Sequence, residues 1–183
     1  MQPLSTGATL CLALAAPLLL ATPAAAQVLF SYDFEAAAEP AALEGLEFTN
    51  AVPRIVEGGA DGTGHCLRIE SQQPGRYTTV SVVRPMTVAR NLVLSLDHRE
   101  GIEPGRKAAY LGVLFYDRDG KQWFGSDQFT PAWRHMEVPL AGMHSPNEGV
   151  LSLGKELTRL QVYGRAEGDT QARMTVWVDN IRL

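Results

Sequence analysis

Thr175-Val-Trp-Val-Asp-Asn-Ile-Arg-Leu183, the last stretch of the sequence, decides the reading of the fold. Val176, Trp177, Val178, Ile181 and Leu183 make a nearly continuous apolar run rich in β-branched and aromatic residues, which suits a strand covered on both faces. Asp179 interrupts it. A carboxylate inside a buried strand needs partners, because an unpaired buried charge is costly. The complementary stretch lies near the other end, in Val28-Leu-Phe-Ser-Tyr-Asp-Phe-Glu35. Strand periodicity puts Phe30, Tyr32 and Phe34 on one face and Asp33 and Glu35 on the other. The two stretches are expected to lie side by side, to gather their carboxylates, and to close a β-sandwich formed by everything between them.

Working outward, Met1 to Ala26 carries no charged residue, has an apolar run from Leu10 to Leu20, and ends in Ala24-Ala25-Ala26. These are the marks of a secretory signal peptide over residues 1–26, with cleavage before Gln27 and one domain over 27–183. The protein is therefore expected to be secreted or periplasmic. The run is shorter than the ~20 residues a membrane span requires. A formal charge of -4 with no basic cluster argues against nucleic acid as a partner. Cys66 is the single cysteine of residues 27–183, which excludes an intrachain disulfide there.

Strands are expected at Glu47–Glu57, His65–Ser71, Thr78–Arg84, Asn91–Arg99, Ala108–Tyr116, Gln122–Phe129, Trp133–Leu140, Leu157–Arg165 and Arg173–Leu183. Pro53 marks the first of these as an edge or a bulge. Gly58–Gly64 and Gly101–Lys107 read as loops, Asp117-Arg-Asp-Gly120 as a hairpin turn, and Ala141–Glu156 as a long connection. Many short strands at regular spacing, with no long helical period, predict an all-β sandwich or barrel.

Five segments together resemble a known family: Tyr32-Asp-Phe-Glu35, Gly64-His-Cys-Leu-Arg-Ile69, Tyr116-Asp-Arg-Asp-Gly120, Trp133-Arg-His-Met-Glu-Val-Pro-Leu140 and Val178-Asp-Asn-Ile-Arg-Leu183. In order and spacing they look like the galactose-binding-like jelly rolls that serve as carbohydrate-binding modules of secreted glycoside hydrolases. The resemblance implies a two-sheet antiparallel jelly-roll β-sandwich, a sugar ligand and one structural calcium. No catalytic domain accompanies it in this sequence.

Three constellations bear on chemistry. Calcium takes six to eight oxygens from carboxylates and carbonyls. Asp33, Glu35 and Asp179, with carbonyls of the loop before His65, could supply them; the alternative is two solvated acids and one acid bonded to backbone amides. His65-Cys66 could suggest an activated thiolate, but neighbouring strand residues point to opposite faces, so a buried structural thiol is expected. Asp97, Glu100, Glu103, Asp117 and Asp119 could form an acid pair for glycoside hydrolysis, yet four of them fall in expected turns, and His98, His135 and His144 lack metal-like neighbours. No catalytic residue is assigned.

The binding residues come from alternation in the central strands. Tyr110 and Tyr116, then Arg159, Gln161, Tyr163 and Arg165, and Asp97 fall on the faces opposite the apolar sets. Trp123 is expected at the edge as a further platform. Aromatic planes beside hydrogen-bonding groups suit the apolar C–H face and hydroxyl rim of a sugar. The expected function is recognition of a poly- or oligosaccharide without catalysis. The competing readings are an envelope or adhesion domain contacting another protein, and a small polysaccharide-active enzyme on the same fold.

Overall fold

A computed structural model describes residues 28–35, 41–102, 109–128, 130–166 and 171–183. The expected signal peptide, its cleavage site and Glu103 lie outside the described residues. In chain order the strands are β1 (Ser31–Tyr32), β2 (Leu46–Thr49), β3 (Ala51–Glu57), β4 (His65–Ser71), β5 (Thr78–Thr87), β6 (Val93–Ile102), β7 (Ala109–Tyr116), β8 (Gln122–Gln128), β9 (Arg134–Pro139), β10 (His144–Ser145), β11 (Gly149–Val150), β12 (Glu156–Ala166) and β13 (Met174–Arg182). One sheet runs β3-β4-β13-β6-β9 with β1 added to β13, and the other runs β11-β10-β8-β7-β12-β5-β2. This is the two-sheet antiparallel jelly-roll β-sandwich expected.

The two ends of the domain meet as predicted. Ser31 pairs with Arg182 and Tyr32 with Ile181. The Leu29 amide donates to the Leu183 carbonyl at 2.6 Å, and the Leu183 amide to the Phe30 carbonyl at 3.2 Å. β13 has β6 along one side and β4 followed by β1 along the other. A central position explains its apolar character, but only one face is core. Met174, Val176 and Val178 are buried, whereas Thr175 and Trp177 are only partly so and share the opposite face. Trp177 is thus not a core residue, a correction to the expectation of a strand covered on both faces. Asn180 adopts φ 49° and the register with β6 shifts between Asp179 and Arg182, a bulge that returns Ile181 to the core.

The core lies between the sheets. Leu67, Ile69, Leu94, Leu96 and Val178 of one sheet face Val82, Leu111, Val113, Phe115, Leu160 and Val162 of the other, all buried. Each such side chain contributes ~1.5–3 kcal/mol relative to exposure. Trp123 belongs to this cluster at 4 % exposure, and is therefore not a platform at the sheet edge. Cys66 is free and buried, as expected, and burial pushes its thiol up to about 11.

Several boundaries differ from the sequence reading. The strand expected at 47–57 breaks at Asn50, whose φ is 50°, so that β2 joins one sheet and β3 the other. The Asn50 side chain holds this corner: it accepts the Gln73 amide at 2.7 Å and donates to the carbonyls of Gln73 and Tyr77. Pro53 sits in β3, an edge strand, the place in a sheet where a missing N–H is tolerated. Pro85 does not end β5; the strand continues to Thr87 beyond a register shift opposite Leu157 and Arg159. Gly101 and Ile102 extend β6 rather than opening a loop, and Glu100 is a buried strand residue. The 141–156 connection contains β10 and β11. Among the described residues no helix is long and apolar enough to cross a membrane.

Candidate functional site

The antiparallel register of β7, β12 and β5 places the polar positions of the three strands on one open face. Arg165 pairs with Tyr110, Tyr163 with Gly112 and Thr79, Gln161 with Leu114 and Ser81, and Arg159 with Tyr116 and Val83. Six of the residues predicted from alternation, Tyr110, Tyr116, Arg159, Gln161, Tyr163 and Arg165, are therefore neighbours. Two are not. Asp97 lies on β6 in the other sheet, and Trp123 points into the core because it pairs with Phe115, an inward residue of β7.

At one end of the face three tyrosines converge. Tyr163 meets Tyr77 edge-on with ring centroids 5.4 Å apart, and Tyr110 edge-on at 6.0 Å. The Arg165 guanidinium donates to the Tyr77 hydroxyl at 2.8 Å and lies 4.8 Å from the centre of that ring. The Tyr77 and Tyr110 hydroxyls are 3.4 Å apart. At the other end the Tyr116 hydroxyl donates to Gln161 Oε1 at 3.0 Å, Gln161 Nε2 donates to Ser81 Oγ at 3.2 Å, and Arg159 pairs with Glu47 at 3.1 Å. These contacts lock long side chains before any ligand arrives, which lowers the ordering cost of binding.

Sequence reasoning missed Tyr77, Ser81 and Glu47. Tyr77 shares the parity of Thr79, Ser81 and Val83, so carrying the β5 alternation one residue further back would have found it. The titration behaviour of the tyrosines follows their packing. Burial, then the neighbouring Tyr110 and Tyr77, pushes Tyr163 up to about 12. Burial raises Tyr110 and Tyr116, while the hydrogen bond with Tyr110 and then that from Arg165 lower Tyr77. Each tyrosine hydroxyl can both donate and accept.

On the opposite side of the sandwich two of the three predicted carboxylates, Asp179 and Glu35, bond to backbone amides in and just after the 58–64 loop. Asp179 is buried; its Oδ2 accepts the Ala60 amide at 3.0 Å and its Oδ1 the Asn180 amide at 2.7 Å. Both Glu35 carboxylate oxygens accept the His65 amide at 3.2 Å. Asp33 is exposed and accepts the Glu35 amide at 3.3 Å. Burial raises the Asp179 carboxyl, the two amides oppose that, and Glu35 and Asp97 add to the rise. Among the described residues no group of three His, Cys, Asp or Glu side chains is assembled as a metal site. Backbone oxygens nevertheless converge beside Asp179. A Cβ on Gly59 would stand 2.7 Å from the Thr63 carbonyl, 2.9 Å from Asp179 Oδ2 and 3.1 Å from the His65 carbonyl. The donor set of one carboxylate and two carbonyls, with the Glu35 carboxylate against the His65 amide at the end of that loop, is of the hard-oxygen kind calcium takes.

Three of the acids considered for hydrolysis have other partners. Asp97 meets His135 and Asn180. Glu100 contacts His98 Nδ1 at 2.5 Å in the core and accepts the Thr130 amide, and Asp117 accepts the Asp119 and Lys121 amides of its own turn.

No protein-family profile matches this chain, and no curated protein matches it by sequence. Solved structures match its fold. An exo-β-agarase superposes with a TM-score of 0.58 at 16% identity, over 86% of this chain and 25% of that one. A family 22 xylan-binding domain superposes at 0.52 with 14% identity, over 86% and 94%. The family 11 carbohydrate-binding module of a cellulosomal cellulase of Clostridium thermocellum superposes at 0.51 with 18% identity, over 76% and 82%. The chain spans about a quarter of the agarases' length, and nearly the whole of the binding modules. At these identities the likeness establishes a shared fold, the jelly roll of carbohydrate-binding modules.

Proposed function

We propose that the protein binds a β-linked poly- or oligosaccharide, without catalysis, along the open face of β7, β12 and β5. The observation that carries this reading is the cluster of Tyr77, Tyr110 and Tyr163 held by Arg165, with Tyr116, Gln161 and Ser81 continuing along the same face. Tyrosine rings offer C–H stacking area together with a hydroxyl at low entropic cost, and the arginine and amide groups offer fixed donors and an acceptor for sugar hydroxyls. The fold neighbours support the class of ligand: one is described as xylan-binding and another in complex with a β-1,3-1,4-mixed-linked tetrasaccharide. A cluster of this size suits a few consecutive sugar rings of a chain.

One structural calcium is part of the proposal. Glu35, Asp179 and the Thr63 and His65 carbonyls would hold it, with Asp33 close in sequence as a further carboxylate. When bound, the ion supplies charge neutralisation for Asp179 and ties the 58–64 loop to both ends of the domain. The uncharged leader supports export, so the ligand would be met in the periplasm or outside the cell.

The test is isothermal titration of the protein over 27–183 against mixed-linked glucan, xylan and agarose oligosaccharides, with Tyr163→Ala and Arg165→Ala as variants. Binding lost in both variants, with the fold intact by far-UV circular dichroism, is the expected result. Binding unchanged in both would place the site off this face.

A further inference from the structure

The outer face of the other sheet carries an unexpected row. Strand register aligns Arg54 of β3 with Arg68 of β4, Arg68 with Trp177 of β13, and Trp177 with Arg99 of β6. Trp133, just before β9, completes it. Arg99 lies 4.5 Å from the centre of the Trp177 ring and 5.2 Å from that of Trp133, and Arg68 lies 5.9 Å from Trp177. The six-membered edge of the Trp177 indole passes over Gly101, where a Cβ would stand 3.1 Å from it. The indole is laid across a glycine on the neighbouring strand, and the Arg99 and Arg68 guanidiniums lie over its ring. Beside it is an open depression of about 640 Å³, lined by Glu70, Gly101, Arg173, Thr175 and Trp177 among others.

Charge selects the kind of ligand. The protein has a formal charge of -4, yet among the described residues this patch holds Arg54, Arg68, Arg99 and Arg173 around one carboxylate, Glu70, which is ion-paired with Arg68. The acids of the adjacent row are already engaged: Asp97 by His135 and Asn180, Asp179 by the Ala60 and Asn180 amides. The Arg99 Nε donor is buried with no acceptor.

We infer that this face is a second carbohydrate site, specific for anionic polysaccharide, in which the exposed Arg54 and Arg173 receive carboxylate or sulfate groups beside a wall formed by the stacked Arg68, Trp177 and Arg99 side chains. Guanidinium forks match both oxyanions in geometry. The two faces lie on opposite sides of the sandwich, so this site does not depend on the tyrosine face. Two such sites on one domain would let it bridge a neutral and an acidic glycan, or hold one mixed polymer with the added avidity of two attachments.

The experiment is affinity electrophoresis and titration calorimetry with polygalacturonate, a sulfated galactan and neutral xylan, each at low and high ionic strength. At least one acidic polymer is expected to bind, weakening as salt rises; which one binds tells carboxylate from sulfate. Trp177→Ala should weaken that binding about tenfold or more, equivalent to ~1.4 kcal/mol, and Tyr163→Ala should leave it unchanged. Because Trp177 is partly buried, the exposed pair Arg54→Glu and Arg173→Glu serves as an independent variant and should abolish acidic binding with neutral binding intact. Failure of both acidic polymers to bind, leaving the face to a protein partner, would overturn the inference. So would acidic binding lost with Tyr163→Ala, or retained in the Arg54→Glu, Arg173→Glu protein.

Discussion

The ring of Tyr163 lies over Gly112, the residue paired with it on the neighbouring strand: a Cβ at position 112 would collide with its Cζ and hydroxyl. Gly112 is flanked on the same face by Tyr110 and Leu114, so one absent side chain lets a tyrosine settle between strands and meet Tyr77 and Tyr110 edge-on. Gly112→Ala should tilt the ring out of this seat. The expected loss is about 1 kcal/mol of sugar binding, the scale of one aromatic contact, or roughly fivefold in Kd. Near-UV circular dichroism and calorimetry on the variant check it, with equal affinity counting against the arrangement.

Trp123 and Tyr163 separate packing from recognition. Trp123→Ala should cost ~3–5 kcal/mol of stability, as expected for a core aromatic, with little direct effect on sugar affinity in whatever fraction stays folded. Tyr163→Ala should do the reverse. Urea unfolding beside calorimetry on both proteins distinguishes them, and a Trp123→Ala protein with wild-type stability would contradict the core assignment.

Calcium removal should destabilise the fold. A ligand bound only by the folded state at a hundredfold excess over Kd adds ~2.7 kcal/mol. At ~2–4 °C per kcal/mol for a domain of this size, chelation should lower Tm by roughly 5–11 °C. Asp179→Asn supplies the control. Burial holds the Asp179 carboxyl above its ordinary value, so keeping it ionised costs the ion-free protein stability. The variant should therefore melt at the same temperature with and without chelator, and below wild type in calcium. A chelator-insensitive wild type, verified as loaded beforehand, would remove the ion from the account.

His135 makes stability depend on pH. Its Nδ1 lies 2.8 Å from Asp97 Oδ1, and this hydrogen bond, assisted by Glu137, raises its pKa in the folded state. A cation favoured by folding contributes its full stabilisation below the unfolded value of ~6.5 and loses it as pH rises through the higher folded value. Tm should therefore fall on going from mildly acidic to mildly alkaline solution, and His135→Gln should flatten that part of the profile. The ring is exposed, so the effect is small; an identical slope in the variant would assign it to another group.

Local pattern by itself determined much of this protein. Period-two alternation separated Leu111, Val113 and Phe115 from Tyr110 and Tyr116, and Leu160 and Val162 from Gln161, Tyr163 and Arg165, because side-chain direction in a strand follows from the backbone alone. The apolar composition of the two end segments made their pairing legible as well. What alternation cannot carry is which strands become neighbours. That depends on contacts between residues far apart in sequence, and only the tertiary structure put β7 beside β12 while sending Asp97 to the other sheet. The same limit explains Trp177 and Trp123. Two tryptophans in apolar-looking strands are indistinguishable by propensity, and one lies on the outer face while the other fills the core, because register with Arg99 and with Phe115, not residue type, sets the face each one takes.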